Sequence, residues 1–181
     1  MSTPENYKLI YPEHYIQYRI KEISLIIDQW AAEVYEETKK PVLATCLLQG
    51  GVMFFSDLIR EITSPIEYGF IRPKSYEKNS QLDDVSILLN DINPQDRTIL
   101  LVDDIVDTGR TVDNLSTYLL EGGAFGVGIA TLIERLSPDR TFTRPDWSCI
   151  RHEGAEWFVG YGMDDYRLNR NLKDIYTLEQ E

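Results

Sequence analysis

The chain has 181 residues, of which 18 are basic and 30 acidic, so its formal net charge at pH 7 is −12. This length fits a single domain, and the acidic balance repels the phosphate backbone, which argues against a nucleic-acid partner. The two cysteines, Cys46 and Cys149, cannot make a disulfide framework and suit a reducing compartment. No stretch approaches the ~18 apolar residues of a membrane span, and the N-terminal residues lack a secretory signal. We therefore expect a cytoplasmic protein with no membrane partner.

The first part of the chain predicts a long helix followed by a strand, a turn and a second helix. Apolar residues recur three and four positions apart from Ile16 to Val34, which is typical of one helix face, and the helix should end before Pro41. PVLATCLLQGG predicts a strand and a tight turn closed by Gly50 and Gly51. VMFFSDLIREI then predicts a helix, and IEYGFIRPKSY a strand.

The middle of the chain continues the alternation. We expect a mobile loop at the polar stretch EKNSQLDD, a short strand at VSILLND and a buried strand at TILLVDDIV. The apolar stripe from Val112 to Leu119 predicts a helix that stops at Gly122 and Gly123, before the strand GVGIATLIERL. Strands alternating with helices in this way predict an α/β fold, with a mainly parallel sheet flanked by helices on both faces.

The last 45 residues have a different character, with prolines, aromatics and short strand-like pieces instead of another strand and helix. We expect a single domain in which residues 41–136 form the core. Residues 137–181, together with N-terminal residues, should form a small cap or hood on an edge of the sheet. His14 and His152 have no partners at metal-ligand spacing and need no special role.

The segment ILLVDDIVDTGRTV carries the chemistry. A buried strand ends in Asp103 and Asp104, a third acid follows at Asp107, and Thr-Gly-Arg-Thr then opens a helix. Ligands of open α/β sheets bind beyond the carboxyl ends of strands, and a helix N-terminus with small residues can hold a phosphate. Carboxylates suit sugar hydroxyls and magnesium waters. The segment therefore indicates a phosphorylated sugar with a metal, although a solvated strand end and a simple helix cap would account for the same residues.

This segment resembles the phosphoribosyl-pyrophosphate signature of type I phosphoribosyltransferases. The resemblance extends along the chain and narrows to the hypoxanthine-guanine phosphoribosyltransferases, which join a 6-oxopurine to the ribose of phosphoribosyl pyrophosphate. It implies purine salvage with Mg²⁺ as cofactor. It also implies phosphoribosyl pyrophosphate and a purine base as partners, and a homodimer or homotetramer.

The resemblance also assigns roles to the signature residues. Asp107 would be the catalytic acid/base that exchanges a proton with the purine. Asp103 and Asp104 would bind the ribose and take part in holding metal. The 5′-phosphate would be bound by Asp107, Thr108, Gly109, Arg110 and Thr111.

Two further segments are similar to loops of that family. LLQGG resembles the first loop, where the backbone at Gln49 and Gly50 would bind pyrophosphate, although Gln49 replaces the usual basic residue. FIRPKSY resembles the approach to the family's mobile loop, in which Ser75 and Tyr76 would close over the reacting centre. An ordinary polar surface loop would account for the second segment equally well.

The resemblance assigns the purine base and the leaving group to residues in the last part of the chain. Arg135 lies where the family has a lysine that donates to the purine 6-oxo group, but it could instead pair with Glu134 or Asp139. In EWFVGYGMDD, Trp157 would stack on the purine and the Phe158 backbone would contact its edge, unless Trp157 is a core residue. Asp164 would hold a magnesium ion bound to pyrophosphate, and Arg170 would pair with pyrophosphate directly.

Two other functions compete with this interpretation. A nucleotide-sensing regulatory protein could use the same fold and the same phosphoribosyl site, although the acidic balance counts against nucleic-acid binding. LLVDD also resembles the acidic strand end of a response-regulator receiver domain. A receiver carries its acidic pair on the first strand, whereas several elements are predicted to precede it here.

Overall fold

The computed structural model describes residues 6–72, 92–136 and 144–178. The helices are α1 (Glu13–Thr38), α2 (Val52–Glu61) and α3 (Arg110–Glu121). The strands are β1 (Tyr7–Tyr11), β2 (Val42–Leu47), β3 (Ile66–Ile71), β4 (Thr98–Val106), β5 (Gly126–Arg135), β6 (Trp147–His152), β7 (Phe158–Val159) and β8 (Ile175–Leu178). None of the described helices is long and apolar enough to cross a membrane.

The main sheet has five strands in the described part of the chain, in the order β3-β2-β4-β5-β6. All four neighbouring pairs are parallel, which confirms the predicted sheet. Strand β4 occupies the middle, and its residues from Ile99 to Val102 are completely buried, because helices cover both faces. The carboxyl ends of these strands meet at one edge, where β4 delivers its acids.

Helices α1 and α2 pack on one face of the sheet, and α3 packs on the other. Ile16 and Ile20 of α1 are fully buried in a cluster that contains Leu100 and Val102 of β4. Leu115 and Leu119 of α3 belong to a second cluster that contains Ile99 and Leu101. Alternate residues of β4 thus supply both cores, as a central strand of a doubly covered sheet requires.

A second, smaller sheet brings the two ends of the chain together. Its described strands lie in the order β1-β8-β7, with antiparallel pairing between neighbours. This sheet is the predicted hood of N-terminal and C-terminal segments. Strand β6 also follows residue 136, yet it pairs in parallel with β5 and forms the edge of the main sheet. The strand expected at VSILLND and the loop expected at EKNSQLDD lie outside the described residues.

A carboxylate on α1 joins that helix to the segment between α2 and β3. Asp28 accepts hydrogen bonds from the Thr63 hydroxyl at 2.7 Å and from the backbone amides of Thr63 and Ser64 at 3.0 and 2.8 Å. The Thr63 hydroxyl contributes most, and together these donors lower the pKa of Asp28 from 3.8 to about 2. Because the pKa is lower in the folded protein, this carboxylate stabilises the fold above pH ~4, and its contribution is lost as the pH falls towards 2.

Asp28→Asn is therefore expected to lower the free energy of unfolding by about 1 kcal/mol at neutral pH. The difference between the variant and the wild type should shrink as the pH falls from about 4 towards 2, because the carboxylate is protonated first in the unfolded wild-type chain and only near pH 2 in the folded protein. Urea unfolding at a series of pH values measures this difference. The same difference at every pH would contradict the assignment.

Candidate active site

The acids of β4 lie at the carboxyl edge of the main sheet. Asp103 and Asp104 are the sixth and seventh residues of the strand, and Asp107 follows its last residue. The Asp103 carboxylate accepts a hydrogen bond from the Asp104 amide at 3.0 Å. Desolvation by burial, and then the neighbouring charge of Asp104, raise the pKa of Asp103 well above its ordinary value of 3.8. A positively charged ligand group or a cation would relieve both effects.

The turn after β4 forms a small cavity at the N-terminus of α3. The cavity has a volume of about 100 Å³ and is lined by Asp103 and by residues 105–112. Gly109 has a φ of 86°, a left-handed conformation that residues with a side chain rarely adopt, and its carbonyl accepts from the Asp113 amide at 3.0 Å. Thr108, Arg110 and Thr111 are exposed around it. Helix N-terminal amides and hydroxyls in one concave turn are suited to an anion.

The turn of residues 48–51 lies against the acids of β4. The peptide bond between Leu48 and Gln49 is cis. A Cβ atom at Gly50 would lie 1.9 Å from Oδ2 of Asp104, so only glycine permits this approach. A Cβ atom at Gly162, whose φ is 101°, would lie 2.0 Å from the Gly50 carbonyl oxygen. The hood segment containing Gly162 therefore closes directly on the 48–51 turn.

A larger cavity of about 560 Å³ opens beside this turn. It is lined by Asp104, Ile105, Asp107, Arg135, Leu136, Gly154, Ala155, Glu156, Trp157, Phe158, Met163 and Asp164. Ile105 and Asp107 line both cavities, so the two are neighbours. The Trp157 side chain is 64% exposed, which is inconsistent with a core role, and its indole N–H donates to the Asp164 carbonyl at 2.8 Å. Phe158 is 4% exposed.

Arg135 has partners among the described residues that the sequence analysis did not consider. Its Nε lies 3.4 Å from Oδ1 of Asp107, and its terminal nitrogens donate to the carbonyls of Gly154 and, at 3.0 Å, Glu156. Glu134, one of the alternative partners considered for Arg135, instead faces Arg144 and Arg151, each at 3.2 Å. The reason is that successive strand residues point to opposite faces of the sheet. Asp139 lies outside the described residues.

His152 has a structural role that the sequence analysis missed. Its side chain is 13% exposed. One ring nitrogen lies 2.6 Å from the Tyr11 hydroxyl and the other 2.9 Å from the Glu156 carboxylate. These contacts link the hood, β6 and the segment that lines the larger cavity. Lone histidines carry no spacing signal, so only the fold could reveal this network.

Asp164 and Arg170 meet at the cavity rim. Their side chains form an ion pair at 2.6 Å, and the Arg170 guanidinium also donates to the Gly162 carbonyl at 2.5 Å. Asp164 also accepts from the Arg167 amide at 2.7 Å. Within the described ranges, no three acidic, histidine or cysteine side chains form a cluster that could hold a metal. Asp103, Asp104 and Asp164 therefore do not make a single cage of three carboxylates.

The other predicted site residues are distributed as follows. Gln49 and Gly50 are in the turn that contacts Asp104, whereas Ser75 and Tyr76 lie outside the described residues. Sequence reasoning missed several residues that line the larger cavity or contact the 48–51 turn, namely Ile105, residues 154–156, Gly162 and Met163. Ile105 and Met163 are adjacent in sequence to the acids Asp104 and Asp164, and Gly162 belongs to the GYG run. Their closeness to these motifs was the only sequence feature that could have identified them.

The fold and the site define an α/β protein that would bind its ligand at the carboxyl ends of parallel strands. The model of the phosphoribosyl transferase domain matches residues 17–165 of the chain. A hypoxanthine-guanine phosphoribosyltransferase of Streptococcus pneumoniae is 32% identical over 145 residues, or 79% of each protein. The chain therefore belongs to the phosphoribosyltransferase family, among the hypoxanthine-guanine phosphoribosyltransferases.

Other relatives match a larger share of the chain. A hypoxanthine-guanine phosphoribosyltransferase of Mycobacterium tuberculosis is 29% identical over 167 residues, covering 91% of this chain and 82% of the relative. The crystal structure of a hypoxanthine phosphoribosyltransferase from Staphylococcus aureus superposes with a TM-score of 0.81 at 26% identity, covering 94% of this chain and 90% of that one. A Trypanosoma cruzi hypoxanthine phosphoribosyltransferase gives a TM-score of 0.84 at 26% identity, covering 98% of this chain and 94% of that one.

The competing interpretations are not favoured by this architecture. The acidic pair lies on β4, after three earlier strands in the chain, whereas a receiver domain carries its pair on the first strand. The relatives named above are phosphoribosyltransferases, and this chain matches each of them over most of its length. Both observations support the resemblance found in the sequence.

Proposed function

We propose that this protein transfers the phosphoribosyl group of phosphoribosyl pyrophosphate to a 6-oxopurine, hypoxanthine or guanine, and releases pyrophosphate. The reaction serves purine salvage and yields IMP or GMP. The observation that supports it best is the pair of neighbouring cavities. One surrounds the turn at the N-terminus of α3, the other has an exposed indole on its wall, and Asp107 lines both.

The phosphate and ribose are assigned to the end of β4. The 5′-phosphate binds at residues 107–111, where Gly109 lets the backbone approach closely and Thr108 and Thr111 add hydroxyl donors. The helix dipole of α3 favours the same negative charge. Asp103 and Asp104 accept hydrogen bonds from the ribose hydroxyls. This places the sugar between the two cavities, with its reacting carbon facing the larger one.

The base binds in the larger cavity. Trp157 stacks on the purine, because its indole is 64% exposed on the cavity wall. The Phe158 backbone contacts the base edge, and Asp107 exchanges the proton at N7 as the new bond forms at N9. Asp107 suits this role because its carboxylate is 59% exposed, on a turn that both cavities share. Arg135 borders the same cavity.

The leaving group is assigned to the opposite side of the ribose. The backbone at Gln49 and Gly50 and the guanidinium of Arg170 bind pyrophosphate, and Gly50 is already in contact with Asp104. Holding the base and pyrophosphate on opposite faces supports a cation-like ribose in the transition state. Ser75 and Tyr76 complete the proposal as residues of a loop that closes over this centre and excludes water.

The donors present fit a divalent metal, and we propose Mg²⁺. Asp103, Asp104 and Asp164 offer hard carboxylate oxygens. Burial, and then the neighbouring charge of Asp104, raise the pKa of Asp103, and a bound cation would offset this penalty on its charged form. Mg²⁺ usually binds through one or two carboxylates together with substrate phosphates, so a cage of three protein ligands is not needed. When bound, the ion would neutralise part of the charge on departing pyrophosphate.

The remaining proposals concern the whole molecule. Buried free Cys46 and Cys149 support a cytoplasmic, reducing location. We treat the chain as one domain, with its core and hood, because the hood closes on the 48–51 turn. Exposed Tyr68 and Phe70 on β3, which is an outer strand of the sheet among the described residues, support assembly into a homodimer or homotetramer.

The function is tested by incubating the protein with phosphoribosyl pyrophosphate, Mg²⁺ and one base at a time, from hypoxanthine, guanine, xanthine and adenine. We expect pyrophosphate and a nucleotide in equal amounts with hypoxanthine or guanine, and none with adenine. A reaction in which Mg²⁺ is replaced by a chelator is the control and should yield neither product. The proposal fails if no 6-oxopurine supports pyrophosphate release.

A further inference from the structure

We propose that Arg135 is a positioning residue for Asp107, and that its contribution to the reaction is made through this carboxylate more than through the purine 6-oxo group. The inference rests on the proposed function, because it concerns the group assigned to proton exchange. It also departs from the family pattern, in which a lysine at this position donates to the base.

The two side chains are brought together by the register of neighbouring strands. Val106 of β4 is paired with Glu134 of β5, so Asp107 and Arg135 follow at the next position of the parallel pair. Nε of Arg135 lies 3.4 Å from Oδ1 of Asp107. The Asp107 side chain is 59% exposed, whereas Arg135 is only 11% exposed. The arginine is therefore the embedded member of the pair, and the carboxylate is the member that needs to be held.

The guanidinium is itself fixed by the segment that lines the base cavity. Its terminal nitrogens donate to the carbonyl oxygens of Gly154 and Glu156, the latter at 3.0 Å. Its central carbon lies 5.1 Å from the centre of the Phe158 ring, within the range of a cation–π contact. A planar guanidinium can make all of these contacts at once while its positive charge stays beside Asp107, whereas the single ammonium group of lysine cannot match the full set.

The carbonyls that hold Arg135 are supported in turn. His152 bridges the Tyr11 hydroxyl at 2.6 Å and the Glu156 carboxylate at 2.9 Å. The His152 ring also packs edge-on against Phe158, with 4.8 Å between ring centres. Asp107 is thus connected through Arg135 and the 154–156 segment to the hood. This arrangement restricts the orientation of a carboxylate that is 59% exposed, and proton transfer depends strongly on the orientation of the acceptor.

The test is a double-mutant cycle with Arg135→Gln, Asp107→Asn and the combined variant, measured with hypoxanthine and phosphoribosyl pyrophosphate. We expect Arg135→Gln to lower kcat by ~10- to 100-fold, with little change in KM for the base. Added to Asp107→Asn, it should cause no further loss, because the group that it positions is already gone. Arg135→Lys should retain more kcat than Arg135→Gln, since it keeps a cation near Asp107.

Arg97→Gln is the matched control. Arg97 is also an embedded arginine, 19% exposed, that pairs with a carboxylate, Glu67, and donates to a carbonyl, that of Pro41. Arg97 directly precedes β4, whereas Asp107 directly follows it, so the two residues lie at opposite ends of the strand. The kcat of Arg97→Gln should therefore stay near the wild-type value. Thermal unfolding of both glutamine variants separates lost stability from lost activity.

Three results would overturn the inference. The first is an Arg135→Gln enzyme with a raised KM for hypoxanthine and an unchanged kcat. The second is a double variant in which the losses of kcat from Arg135→Gln and Asp107→Asn add fully. The third is an Arg135→Lys enzyme whose kcat is no higher than that of Arg135→Gln. Each of these requires an active wild-type enzyme. A wild-type protein inactive with every 6-oxopurine would instead contradict the proposed function, so the two failures are distinguishable.

Discussion

Asp107→Asn is expected to lower kcat by ~100- to 10,000-fold, the range found when a proton-transfer group is lost. Asparagine has nearly the shape of aspartate but cannot accept the purine proton. The side chain lies at the junction of the two cavities, so its removal should affect the chemical step and leave the ligand sites in place. Binding of phosphoribosyl pyrophosphate with Mg²⁺ should therefore change little.

Steady-state rates with hypoxanthine and calorimetry with phosphoribosyl pyrophosphate measure the two expectations. Asp96→Asn is a suitable control, because Asp96 precedes the same strand at its amino end and has a φ of 56°, which asparagine adopts readily. Its kcat should match that of the wild type. An Asp107→Asn enzyme with unchanged turnover would remove Asp107 from the proton-exchange role.

Gly162→Ala is expected to damage both stability and activity. Gly162 has a φ of 101°, and an added methyl group would lie 2.0 Å from the carbonyl oxygen of Gly50. The unfavourable backbone conformation alone costs ~1–2 kcal/mol. To relieve the overlap, the hood must move away from the 48–51 turn, which is assigned to pyrophosphate. Because small displacements of binding groups reduce rates strongly, kcat/KM for phosphoribosyl pyrophosphate should fall at least ~10-fold.

Gly126→Ala provides the matched control for this change. Gly126 begins β5, and a Cβ atom there would meet nothing within 4 Å. Its free energy of unfolding should stay within about 0.5 kcal/mol of the wild-type value, with unchanged kinetics. Thermal melts and substrate titrations of the two alanine variants make the comparison. Wild-type stability and kcat/KM in Gly162→Ala would contradict the proposed contact between the hood and the 48–51 turn.

The elements of the main sheet were largely predictable, because each depends on a local pattern. The strand TILLVDDIV is observed as Thr98–Val106, and the apolar stripe after it is a helix that ends before Gly122. The pairing of β6 with β5, and of β1 with β8, was not predictable in detail. Strands β1 and β8 lie near opposite ends of the chain, and short strands such as β6 and β8 carry no signal that identifies their partners.

The candidate site was likewise predictable only where it depends on a local pattern. Asp103, Asp104 and Asp107 were identified by spacing within one segment, and the order of acids, glycine and threonines is enough to indicate a phosphate turn. The partners of Arg135 could not be identified, because Asp107 follows a different strand and Gly154 lies on a later segment. For the same reason, His152 was considered unimportant until Tyr11 and Glu156 were seen around it.

The sequence by itself determined the class of fold, the family and the segment that carries the chemistry, since all three depend on residue type and short-range spacing. Tertiary structure decided which side chains face one another across strand boundaries. It showed that Arg135 pairs with Asp107, that Gly162 closes on Gly50, and that a surface tryptophan borders a cavity. The physical reason is that an ion pair or a close backbone contact depends on a few ångströms in space, and separation along the chain does not encode that distance.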